Sequence, residues 1–256
     1  MDRTIAIVGA GAGVGRAVAR RFGREGYKVA LLARKPDKLA LLVAELESEG
    51  IEAAAFAIDL RDRPSVERGL REAQGLFGPI DVLEFSPAPE VPGSTMNAIE
   101  LTAENELYHL DIGVLGAITA VRAVLPSMIE RGCGTILLTT AVSALHPLAI
   151  TASFGIAAGA TLNYGRVLNQ QLAQHGIYAG VVMIAGLVVE ADEAGGRSPT
   201  GLEFIASDAI AALQWEMATK HDRVEAIIGD DAAVRALSGR TFKESLMSVA
   251  LKDNQG

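Results

Sequence analysis

The residues best suited to chemistry by type and spacing lie near the start of the chain. A short apolar run ends in Gly9-Ala10-Gly11-Ala12-Gly13-Val14-Gly15. A GxGxxG pattern begun at Gly9 fails at Val14, whereas GxxxGxG fits at Gly9, Gly13 and Gly15. Glycines between a strand and a helix let backbone N–H groups approach a pyrophosphate, which then sits on the positive N-terminal end of the helix. The run therefore predicts a dinucleotide site, the other possibility being a tight turn with no ligand. The next apolar run ends in Ala33-Arg34-Lys35. A carboxylate near this position would suit a free ribose 2′-hydroxyl and repel a 2′-phosphate, which Arg34 attracts. The local charge favours NADP(H) over NAD(H); the plainer reading of Arg34 and Lys35 is a solvated charge pair at a helix start.

These residues need elements to hold them. Apolar runs at 4–9, 27–33, 53–58, 80–85, 134–140, 177–184 and 224–228 read as about seven strands. Between them, helical periodicity predicts helices from Val14 to about Gly26, and over 38–49, 64–77, 103–125, 152–174 and 207–219. The helix from Ala103 is expected to end near Pro126, and Pro87, Pro89, Pro92 and Gly93 mark a loop. Residues 190–201 are polar and Gly-rich and read as a flexible lid. Strands apolar on both faces, alternating with helices, are the signature of a parallel sheet covered on both sides.

Composition narrows the function classes. The chain has 256 residues, half of them hydrophobic and 21% charged, which fits one globular α/β domain over 1–256. With 23 Lys and Arg against 31 Asp and Glu, the net charge of −8 disfavours phosphate-driven nucleic-acid binding. The single cysteine, Cys133, forms no internal disulfide, and no metal-ligand spacing is present, so no metal is expected. From Gly132 to Gly165 there is no Asp, Glu, Lys or Arg, but the stretch holds Thr139, Thr140, Ser143, His146, Pro147 and Asn163. Such polarity suits a buried strand, loop and helix better than a membrane span. The first ten residues carry no charged-then-apolar leader, so a cytoplasmic protein is expected.

The whole pattern resembles the short-chain dehydrogenase/reductase family. The resemblance rests on the glycine loop, Asp59-Leu60, Ile80-Asp81-Val82-Leu83, Leu125-Pro126, Gly134-Thr135-Ile136 and His175-Gly176-Ile177. It implies a doubly wound Rossmann-type domain that binds a nicotinamide cofactor. It further implies that Asp59 and Leu60 flank the adenine, and that Ile184-Ala185-Gly186-Leu187 lines the nicotinamide. Ser86 falls in the family's Asn-Asn-Ala-Gly segment, here Phe85-Ser86-Pro87-Ala88.

By the same resemblance, catalysis would use Asn, Ser, Tyr and Lys. Counting from Gly134, Pro126 and His175 places these at Gly113, Ala141, Phe154 and Ala158, so all four functional groups are missing. Phe154 has no ionisable proton, and Ala158 cannot lower a neighbour's pKa. A positioned acid or base is typically worth about 10²–10⁴ in rate, and here another group must supply it.

Ser143 and His146 are the candidate substitutes, against readings as a backbone-capping serine and a solvent-facing loop histidine. His109, one turn before Gly113, reads as a partly buried helix histidine. Tyr164 lies almost three turns past Phe154 and is rejected as the acid. The small face Gly113, Gly116, Ala117 and Ala120 suggests, through the family, a homodimer or homotetramer; simple core packing is the alternative. Three functions stay open: an NADP(H)-dependent oxidoreductase acting on a hydrophobic carbonyl-type small molecule, a non-redox isomerase or cyclase, and a cofactor-sensing binding protein.

Overall fold

The computed structural model describes residues 3–88, 96–190 and 193–239. Seven parallel strands form one sheet: β1 (Arg3–Val8), β2 (Tyr27–Ala33), β3 (Ala53–Ala57), β4 (Val82–Phe85), β5 (Gly134–Ala141), β6 (Ile177–Ala185) and β9 (Glu225–Gly229). They lie in the order β3-β2-β1-β4-β5-β6-β9. The chain first winds outward from β1 to β3, then returns to place β4 on the other side of β1. That reversal leaves a crevice above the C-terminal ends of β1 and β4, where doubly wound sheets bind their ligands.

Both faces of the sheet are apolar, and each carries its own layer of helices. On one face Ala6, Leu32, Leu83, Phe85 and Ile136 pack with α3 (Arg63–Phe77), α5 (Gly116–Arg131) and α6 (Ala152–Leu172). On the other, Ile5, Ile7, Leu31 and Leu137 pack with α1 (Val14–Gly23), α2 (Pro36–Ser48) and α7 (Ser207–Lys220). The seven expected strands are thus the seven of the sheet. A pair too short to show a period, β7 (Leu187–Val189) with β8 (Phe204–Ala206), forms a second small sheet, and α8 (Asp231–Leu237) follows β9.

The predicted helix over 103–125 differs in two ways. It is α4 (Ala103–His109), a wider π turn over Leu110–Leu115, and then α5. α5 also continues through Pro126 to Arg131. Proline removes one hydrogen bond, to the carbonyl four residues earlier. Here that residue, Arg122, and Pro126 itself are both exposed, so water can satisfy the freed carbonyl. The apolar span Ala103–Arg131 is long enough to cross a membrane, but its Ala117, Ala120, Val121, Val124 and Met128 are buried against this chain's own core.

The small-residue face also packs within the chain. A Cβ on Gly116 would lie 3.1 Å from Leu60, and one on Gly113 would lie 3.8 Å from Ala157. Pro89, Pro92 and Gly93 of the expected loop, and residues 191–192 of the expected lid, lie outside the described residues. The rest of the lid turns back on β8, with Gly195 N–H donating to Phe204 and Phe204 N–H to Gly196.

Candidate functional site

A cleft of about 850 Å³ fills the crevice at the reversal. The glycine loop forms its floor. Gly9 and Ala10 donate their N–H groups to the Leu32 carbonyl at 2.9 and 3.2 Å, tying the loop to the end of β2. Two glycines are required by close approach. Gly9 has φ +93°, and a Cβ there would lie 2.6 Å from the Pro87 backbone; a Cβ on Gly15 would lie 2.8 Å from Ala10 Cα. Gly13 caps α1 and faces open space. Arg16 and Ala17 donate their N–H groups to the Gly11 and Gly13 carbonyls, and the start of α1, from Val14 to Arg16, lines the cleft, the position at which a helix binds an anion.

Of the expected cofactor residues, Gly9, Gly13, Val14, Gly15, Arg34, Lys35, Asp59, Leu60, Ser86 and Gly186 all line this cleft. Leu187 does not: it is 41% exposed at the start of β7, and its neighbour Val188 lines the cleft in its place. A three-residue strand reverses which side chain faces inward at each step, and one so short leaves no readable period. The cationic end is formed by Arg34, Lys35 and Lys38. Burial disfavours ionisation of Asp59, but the Arg61 backbone N–H and the Arg61 and Arg34 charges outweigh it and hold the carboxyl below its usual range. Arg16, which sequence reasoning passed over, lines the cleft at the start of α1 and pairs with Glu190 and, at 3.8 Å, with Glu45.

The other end of the cleft is apolar. Ala141, Phe154, Ile112, Ile184 and Val188 line it. Beneath lies a hollow of about 40 Å³ lined by Gly113, Phe154, Ala157, Ala158, Thr161 and His109. The four counted positions, Gly113, Ala141, Phe154 and Ala158, therefore converge on one place, and none brings an ionisable group. His109 is 3% exposed and stands edge-on to Phe154, with ring centroids 6.2 Å apart.

The substitutes fall elsewhere. His146 Nε2 lies 2.8 Å from Asp231 Oδ1 of α8, which holds the ring away from the cleft. Ser143 is buried beneath the α6 start near Gly155, its Oγ without a partner among the described residues. Neither lines the cleft.

A further polar group escaped sequence reasoning altogether. Glu84 lies in the middle of β4 with no exposed surface. Its carboxylate accepts from Gln214 Nε2 at 3.0 Å, Ser86 Oγ at 3.0 Å and Thr139 Oγ1 at 3.3 Å. Burial pushes its pKa up to about 7, with the three hydrogen bonds opposing. The only sequence sign was a single charge inside the apolar run Val82-Leu83-Glu84-Phe85.

A doubly wound parallel sheet with a glycine-loop cleft at its reversal defines a Rossmann-type α/β protein. The chain belongs to the short chain dehydrogenase family, whose pattern matches residues 3–196. It is 28% identical over 176 residues to a short chain dehydrogenase of Pseudocercospora fijiensis, covering 68% of this chain and 56% of that protein. It is equally 28% identical to 2,3-dihydro-2,3-dihydroxybenzoate dehydrogenase of Bacillus subtilis, covering 69% and 66%. The match thus spans a little over half the length of the first relative and about two thirds of the second. Among solved structures, L-sorbose reductase from Gluconobacter frateurii, complexed with NADPH and L-sorbose, superposes with a TM-score of 0.79 at 20% identity, covering 89% of this chain and 95% of that one.

Proposed function

We propose that this chain is an NADP(H)-binding oxidoreductase, a single Rossmann-type domain that transfers hydride to or from a hydrophobic carbonyl-type small molecule without the family's usual proton relay. One observation carries this reading: the glycine loop, the α1 N-terminus and the Arg34–Lys35–Lys38 end line one continuous cleft with an apolar far end. Bound there, the cofactor supplies hydride chemistry. Gly13 and the first turn of α1 hold its pyrophosphate, and Arg34 with Lys35 holds the 2′-phosphate. Asp59 and Leu60 flank the adenine, and Gly186 lines the nicotinamide end.

The apolar wall of Ala141, Phe154, Ile112 and Ile184 excludes water and orients a bulky apolar substrate rather than a small polar one. Phe154 and Ala158 hold and move no proton. That absence also favours a second reading, in which the same scaffold senses the cofactor or performs a non-redox isomerisation or cyclisation. The protein in this reading is a cytoplasmic homodimer or homotetramer, with exposed Leu107, Ile156 and Val167 on α4 and α6 as the apolar surface for association.

Titration with NADPH, NADP⁺, NADH and NAD⁺, followed by cofactor fluorescence, tests the reading. Tight NADPH binding and NADPH consumption with a panel of hydrophobic aldehydes and ketones support it. Substrate conversion with no net cofactor change supports the non-redox reading, and no binding at millimolar cofactor overturns both cofactor-dependent readings.

A further inference from the structure

We propose that Glu84 is the proton-holding residue of this site, exchanging a proton with whatever occupies the cleft through the hydroxyls of Ser86 and Thr139. The inference rests on the NADP(H) reading above and adds to it a source of the missing proton.

The geometry begins with an oddity. Glu84 sits between Ile7 of β1 and Leu137 of β5 in the register of the sheet, both fully buried and apolar. A carboxylate in such a place needs a charged partner or a set of hydrogen bonds. Among the described residues, its hydrogen-bond partners include no cation. The groups that face it are Ser86 from the end of β4, Thr139 from β5 and Gln214 from α7. Ser86 and Thr139 also line the cleft, so each hydroxyl has the buried carboxyl on one side and the cleft on the other.

A hydroxyl in that position can point its proton only one way at a time. With Glu84 ionised, Ser86 and Thr139 donate inward and offer the cleft an acceptor. With Glu84 neutral, its O–H donates to Ser86 Oγ, and the Ser86 proton turns outward to an oxygen in the cleft. Passing a proton along this line breaks the Glu84 O–H bond, forms one at Ser86 Oγ, and moves the original Ser86 proton to the acceptor. No electrons move, and the net change is one proton from carboxyl to acceptor.

The Gln214 amide suits both states. Its Nε2 donates to Glu84 Oε1 and, at 2.6 Å, to Thr139 Oγ1. Its Oε1 is buried without a partner among the described residues. With the neutral carboxyl's proton on Oε2 toward Ser86, Glu84 Oε1 stays an acceptor and keeps the Gln214 Nε2 bond, so the amide serves both states without turning. Glu84 touches no occupant itself; it is a positioning residue that sets the direction of two hydroxyls.

The test has two parts. First, calorimetry in buffers of different ionisation enthalpy measures protons exchanged on binding NADPH and NADP⁺ at pH 7. The two ligands differ by the positive charge of the oxidised ring, which favours an ionised Glu84. Wild type should take up more protons with NADPH than with NADP⁺. Glu84→Gln, an isostere that cannot titrate but whose oxygen still accepts from Gln214 and Thr139 and whose NH2 donates to Ser86, should abolish the difference. An undiminished difference in that variant, or none in wild type, overturns the proposal.

Second, infrared spectroscopy of the ligand-free protein reads the Glu84 carboxyl C=O band, assigned by its loss in Glu84→Gln. The band should fade as pH rises through about 7. It should shift in Ser86→Ala and in Thr139→Val. A carboxyl still ionised at pH 5, or a band indifferent to both substitutions, overturns the proposal. If neither cofactor binds, the functional reading fails, and the infrared titration still decides Glu84.

Discussion

Replacing Glu84 by Gln should stabilise the protein increasingly as the pH rises from about 4.5 through 7. The Glu84 carboxyl titrates near 4.5 when the chain is unfolded and at about 7 when it is buried in β4. A raised carboxyl pKa means that the folded state binds its proton more tightly than the unfolded state. Below pH 4.5 both states are protonated and the group contributes nothing. Between 4.5 and 7 the unfolded chain loses the proton while the folded chain keeps it, so stability falls with rising pH. Above 7 both are ionised and the penalty is complete. About 2.5 pKa units at about 1.36 kcal/mol each give a penalty of roughly 3 kcal/mol at pH 8 to 9.

Glutamine carries no such penalty, while its amide oxygen still accepts from Gln214 and Thr139. The difference between the two proteins should therefore grow by about 3 kcal/mol between pH 4.5 and pH 8.5. In a chain of this size that corresponds to a shift of roughly 6–12 °C in Tm. Urea unfolding of both proteins across that range measures it, and every other titrating group cancels in the comparison. A constant offset would reflect only altered hydrogen bonding, worth about 1 kcal/mol. An offset unchanged between pH 4.5 and 8.5 would refute the argument that burial raises this carboxyl.

Other substitutions test the rest of the site. Arg34→Ala should weaken NADPH binding by about 10- to 100-fold, the loss of a charge-assisted hydrogen bond of roughly 1.5–3 kcal/mol, and leave NADH unchanged in fluorescence titration. Gly13→Ala and Gly15→Ala should differ in kind. A methyl on Gly13 meets no protein atom within 4 Å and occupies cleft space, so it should cost cofactor affinity with little change in Tm. A methyl on Gly15 lies 2.8 Å from Ala10 Cα and should lower the Tm as well. Installing Gly113→Asn, Ala141→Ser, Phe154→Tyr and Ala158→Lys together should raise NADPH-dependent reduction of a hydrophobic ketone by about 10²-fold or more. No gain in a folded, NADPH-binding variant would show that these positions are not where the proton is needed.

The sheet was legible because parallel strands buried on both faces must be apolar at every position, so each appears as an uninterrupted run. The glycine loop was legible because Gly9 and Gly15 each meet backbone within 3 Å, which no other residue type allows. The passage through Pro126 was not, since it depends on Arg122 facing solvent, a fact of packing. The π turn at Leu110–Leu115 inserts itself without altering the hydropathy pattern. His146 looked available because its partner, Asp231, lies 85 residues away in sequence. Glu84 was hidden for the same reason: its meaning depends on Gln214, 130 residues along the chain, meeting it above the sheet.

The Arg16 contacts have a consequence for how the cleft fills. Arg16 stands at the first turn of α1, where an incoming pyrophosphate would settle, and it is already engaged by Glu190 and Glu45. Entry of a polyanion is therefore an ion exchange rather than an addition: the guanidinium trades carboxylates for phosphate oxygens at nearly constant charge. A polyanion that comes to claim this cation must therefore displace Glu190 and Glu45 to reach it.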